Sequence, residues 1–226
     1  MFLRGLSAAL SVAVLLSPVC HAASGGFCVS ENGSPRAAIV VGEKPVKAAR
    51  LAAAELQHVV RLVTGAELPI VAARPAAGSA FYVGCAAGGD ASVRGKPFEK
   101  EEYLVAFRGN DCYLCGHDAD DFSAFDYADV KTFPGIIYCF RSTTYAVYDF
   151  LEKCCGVRFY GFGDQGTAFT PRPTLAIEPI KDIRRAPAMD ETESATFTSS
   201  ASPDFWRTSR LQTRLPFQAV SPASDR

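Results

Sequence analysis

The sequence predicts an α/β domain: a mixed β-sheet with two main helices packed on one face. Three observations carry this reading. Short apolar runs bounded by glycine or proline recur along residues 37–183, two longer runs repeat their apolar residues at helical spacing, and the elements follow the order βαβββ(β)αββ. No G-x-G-x-x-G follows the first strand, so a doubly wound nucleotide-binding sheet is not indicated.

The first strand is "AAIVVG" (37–42), fully apolar and closed by glycine. "KPVKAARLAAAELQHVVRLVTG" follows as a helix, with Pro45 in its first turn and Gly65 as its stop. Ala52, Leu56, Val59, Val60 and Val63 form one apolar stripe, which must lie against a sheet. "LPIVA" and "SAFYVG" read as further strands, and "EEYLVAFRGNDCYLCGH" as a hairpin turning at Gly109-Asn110. An acidic, aromatic loop runs from His117 to Pro134. A second helix starts near Ser142-Thr143, carries Val147, Phe150, Leu151 and Cys154 on one face, and ends at Gly156. "VRFYG" and "TLAIEPI" are the last strand candidates; from "RRAPAMDE" onward the pattern dissolves into Thr, Ser, Ala, Asp and Glu.

The expected organisation has four parts. Residues 1–22 read as a signal peptide: "MFLRG" supplies a positive charge, and "LSAALSVAVLLSPV" is an apolar core too short to span a bilayer. "CHAAS" gives the small residues for cleavage between Ala22 and Ala23. Val19 and Pro18 are poor neighbours for lipidation of Cys20. Residues 23–36 read as an N-terminal extension, 37–183 as the α/β domain, and 184–226 as a linker with a poorly ordered start of another domain. The mature chain is expected to be exported, periplasmic or extracellular, with no stable membrane span. A formal charge of -1 argues against a nucleic-acid platform.

No catalytic, cofactor or metal constellation stands out. Asp149 and Glu152, three apart, read as the solvated side of the second helix, and Asp118, Asp120, Asp121, Asp126 and Asp129 as solvated loop acids, lacking the ligand alternation and turn glycine of an EF-hand. Neither His58 nor His117 has a recognisable partner, and no H-E-x-x-H or G-x-S-x-G occurs. Eight cysteines are present; cleavage removes Cys20 and leaves an odd number, which cannot all pair. In "CYLC", Cys112 and Cys115 would point to opposite faces of a strand, against a metal or redox pair. Around a helix Cys154 faces the core and Cys155 cannot follow it. Arg158, Phe159 and Tyr160 could touch a sugar, although seating the last strand is the simpler role.

Several motifs in order carry a resemblance. "TGAELPIV" holds Thr64, Gly65, Leu68, Pro69 and Ile70; "FYVG" ends in Val83 and Gly84; "YAVYDFLE" holds Tyr145, Tyr148, Phe150, Leu151 and Glu152. "GVRFY" spans Gly156, Arg158 and Tyr160, and a G-x-x-G-T turn uses Gly163, Gly166 and Thr167. Over residues 37–187 the chain resembles the N-terminal accessory domain of bacterial α-glucuronidases and the second domain of β-hexosaminidases. Ser142, where that family usually has glycine, and the long acidic loop are departures. The resemblance implies a zincin-like sandwich without the zinc motif, a structural role for these residues, no cofactor, and a glycan-degrading partner: a catalytic (β/α)8 barrel of which 184–226 would be the truncated start. A free-standing glycan- or protein-binding module is the alternative.

Overall fold

The computed structural model describes residues 26–134, 140–160 and 164–186. The proposed cleavage site at Ala22-Ala23, Gly163 of the G-x-x-G-T turn and the tail from 187 lie outside them. The elements are β1 (Phe27–Glu31), β2 (Ser34–Pro35), β3 (Ala37–Val40), α1 (Lys47–Thr64), β4 (Ile70–Val71), β5 (Ser79–Val83), α2 (Ala91–Arg94), β6 (Tyr103–Arg108), β7 (Asp111–Gly116), α3 (Ser142–Cys154), β8 (Arg158–Phe159), β9 (Thr167–Ala168), β10 (Leu175–Ile177) and β11 (Ile183–Arg185). The chain is mixed α/β. Its main sheet has the order β11-β6-β7-β5-β3-β4. β3 runs parallel to β4 and β5, and β5 to β7, while β6 and β11 add antiparallel pairs.

Side chains alternate along each strand between two packed faces. Ile39, Phe81, Val83, Val105, Phe107, Cys112 and Leu114 belong to one core, which α1 covers with Ala52, Leu56, Val59, Val60 and Val63 and α3 with Val147, Phe150 and Leu151. Val40, Ala80, Tyr82, Leu104, Ala106, Tyr113 and Cys115 form a smaller core on the opposite face, with Ala87, Val93 and Phe98 packed on it. Cys112 and Cys115 therefore diverge, as strand geometry requires.

α1 begins without a side-chain cap at Val46, so Pro45 stands one residue before the cap rather than in the first turn. The Lys47 amide finds its acceptor in the loop, at the Asp121 carbonyl (2.6 Å). At the other end Gly65 adopts φ 77° and returns its N–H to the Arg61 carbonyl at 2.8 Å, the left-handed stop that a residue with a Cβ enters only under strain. α3 borrows its cap from a distance. The carboxylate of Asp118 accepts from the Thr143 amide at 2.9 Å and from the Thr143 hydroxyl at 2.5 Å.

Three expectations need correction. Residues 23–36 are more than an extension: Phe27 and Val29 are fully buried, and β1 pairs with β10 and β2. The Phe27 ring meets Phe81 edge-on at 4.7 Å and Phe107 at 5.5 Å, and burial of such a side chain contributes about 1.5–3 kcal/mol. The boundary at 183 also moves, because β11 pairs with β6 through Arg185. At the end of α3 the two cysteines exchange roles. Cys155, at the cap, is buried and Cys154 is only half-buried; Cys155 keeps right-handed helical backbone with its amide on the Leu151 carbonyl, and Gly156 (φ 69°) then turns the chain towards the buried Val157.

Candidate functional site

The most concentrated polar cluster of the helix layer lies on α1. Glu55 is 0 % exposed, and its two carboxylate oxygens accept from Tyr127 (2.8 Å) and Tyr148 (3.1 Å). Tyr148 comes from α3 and Tyr127 from the acidic loop, so one carboxylate joins three segments. One helical turn on, His58 Nε2 sits 2.7 Å from Asp164 Oδ1, with the His58 and Tyr127 rings 6.1 Å apart. Sequence reasoning missed Glu55 and left His58 without a partner. The signal for Glu55 was present: it stands three residues after Ala52 and four before Val59, inside the apolar stripe. Asp164 is 106 positions from His58, so no local spacing announces that pair.

A second cluster overturns the solvated reading of Asp149, which is only 9 % exposed. Its carboxylate accepts from the Tyr103 hydroxyl (3.2 Å), from Lys153 Nζ (3.1 Å) and from Arg185 (3.1 Å). Arg185 also donates to the Tyr103 oxygen at 2.7 Å. Burial and the neighbouring Asp149 charge push the Tyr103 phenol up to about 12, although Arg185 opposes them. Glu152 is half-buried, and burial raises its carboxyl as well.

The loop acids serve the backbone. Asp121 accepts from the Ser123 amide and hydroxyl and pairs with Lys47 at 3.1 Å, which together hold it down to about 2. Asp126 and Asp129 accept from the amides of Ala128 and Lys131, as Asx turns do. Asp120 is exposed. Burial lifts the helix-capping Asp118 to about 6, against the lowering effect of its two Thr143 bonds. Among the described residues, no group of three or more His, Cys, Asp or Glu is gathered as a metal ion requires.

The remaining motif residues divide. Tyr148, Phe150 and Leu151 are core, while Tyr145 is partly buried against it. Gly65 and Gly156 hold left-handed backbone, and Gly166 closes a single 3-10 turn (Asp164–Gly166) whose carbonyl accepts from the Tyr160 amide at 2.7 Å. Phe159 is buried, but the packing role expected for its neighbours fails: Arg158 is exposed and Tyr160 is 77 % exposed, since side chains on a two-residue strand alternate outward.

In comparisons with known proteins, no family model matches the chain, and the search of curated proteins finds no match. No described helix is long and apolar enough to cross a membrane.

Proposed function

We propose that this chain is the non-catalytic accessory domain of an exported glycoside hydrolase of the α-glucuronidase kind, a zincin-like unit that buttresses a catalytic (β/α)8 barrel. One observation carries the reading. Glycoside cleavage needs two carboxyl groups flanking a bound sugar, whereas two acids enclosed by the helices here are consumed by the fold, Glu55 beneath two phenols and Asp149 within its phenol–lysine–arginine clasp. The mixed sheet with α1 and α3 on one face is compatible with a sandwich of that kind. Barrel chemistry would reside on the barrel's own loops. Reading the gene beyond the codon for Arg226 tests the proposal: alternating strand and helix patterns with carboxylates at strand ends support it, and an unrelated continuation or a stop contradicts it.

Tyr160 favours a second reading, a glycan-binding module. Its exposed ring is of the kind that stacks on a sugar face. Retention of the chain on glucuronoxylan, abolished in Tyr160→Ala, would give that reading the lead.

A further inference from the structure

β5 and β7 run parallel, with Val83 opposite Leu114, and the Gly84 amide extends the ladder to the Leu114 carbonyl at 2.9 Å. The next residue of β7 is Cys115, 2 % exposed and facing away from α1 and α3. Gly84 takes φ 86°, and a Cβ there would come within 2.6 Å of the Ala49 Cβ on α1, so this position is confined to glycine. The chain then folds into a single 3-10 turn, Cys85–Ala87. That turn brings the exposed Cys85 back over β7, with Sγ 3.4 Å from the carbonyl of Gly116, the residue after Cys115. Because Val83 pairs with Leu114, the register sets Gly84 beside Cys115 and Cys85 one residue beyond it.

We propose that Cys85 and Cys115 form a thiol–disulfide exchange site at the C-terminal end of these two central strands, with Cys85 as the attacking thiol and Cys115 as the resolving one, acting on small disulfides of the glutathione type. The asymmetry between the two sulfurs assigns the roles. Cys85 reaches solvent and Cys115 does not. The neighbouring Cys115 thiol lowers Cys85, against its partial burial, and the Cys85 sulfur together with burial raises Cys115 far above the ordinary thiol range. Of the charges nearby, the Arg94 guanidinium favours the thiolate of Cys85, while Asp118 opposes it.

The reaction balances without a further oxidant. The Cys85 thiolate attacks one sulfur of the small disulfide, forming a mixed disulfide and releasing one small thiol. Cys115 then gives up its proton and attacks Cys85 Sγ, closing the internal bond and releasing the second thiol. The small disulfide is reduced by two electrons and the cysteine pair is oxidised by two.

The test is to expose the full chain to oxidised glutathione, quench with acid at intervals, alkylate the remaining thiols and map every cysteine by peptide mass. The expected course is a transient adduct on Cys85, replaced by a Cys85–Cys115 crosslink, with both thiols lost together. Cys115→Ala should halt the reaction at the Cys85 adduct, Cys85→Ala should leave Cys115 unmodified, and Cys112→Ala, on the opposite face of β7, should change neither step. The time course on the unsubstituted chain decides the matter even if a variant fails to fold. An adduct on Cys85 that persists, a bond from Cys85 to a different cysteine, or a Cys85 that does not react overturns the proposal.

Discussion

Glu55 and Asp149 are both acids buried on the helices, and the fold holds them in opposite ways. Glu55 lies between α1, α3 and the acidic loop, where two tyrosine hydroxyls reach its two oxygens. Asp149 lies nearer the surface, where one phenol and two cations share it, and those cations keep 41 % and 49 % of their own side-chain surface in water. The first arrangement satisfies an acid with neutral donors deep in the core. The second uses the acid to fasten the last strand, β11, to α3. In each case the carboxylate joins segments far apart in sequence, which is work of the fold and leaves neither acid open to a substrate.

The largest effect should follow loss of Glu55. Glu55→Ala removes the acceptor of the buried Tyr148 hydroxyl and the half-buried Tyr127 hydroxyl and opens a cavity, at a cost of about 3 kcal/mol, read as a lower urea midpoint; Glu55→Gln, which keeps an acceptor, should cost less than half of that. Asp149→Ala should cost about 1–2 kcal/mol, because Arg185 and Lys153 can return to water and the Tyr103 hydroxyl is left as the chief orphan. A larger loss at Asp149 than at Glu55 would break the contrast between the two sites.

Smaller effects follow pH, with opposite signs at two other acids. Glu102 is held down to about 2, first by its paired bonds to Arg184 at 2.9 Å, from an ordinary value of 4.5. Its contribution is therefore present above about pH 4.5 and is lost as pH falls towards 2. Asp118 is raised to about 6 from 3.8, so its contribution is full below pH 3.8 and declines as pH rises through 6. Denaturant midpoints measured from pH 2 to 7 should lose the acid-side slope in Glu102→Gln and the fall between pH 4 and 6 in Asp118→Asn.

How much of this was legible in the sequence follows the distance between partners. The stripe and glycine stop of α1, the alternation of β5 to β7 and the divergence of Cys112 from Cys115 are local, and each reads directly from spacing. β1 did not, because its buried partner β10 lies almost 150 residues away and its own run is short. The cap that Asp118 supplies to Thr143 spans 25 positions, and the Arg185 clasp on Asp149 spans 36. Helical periodicity placed Asp149 on a wet face because it carries no information about a strand that arrives later. Glu55 is the instructive miss: an acid inside an apolar stripe requires donors from elsewhere, and two tyrosines provide them.

On the proposed function, the domain's acids build the fold and do not cleave sugar. The direct measurement is release of glucuronic acid from glucuronoxylo-oligosaccharides by the purified chain, beside Glu55→Gln and Asp149→Asn. No turnover is expected from any of the three. Turnover by the unsubstituted chain that either substitution abolishes would contradict it.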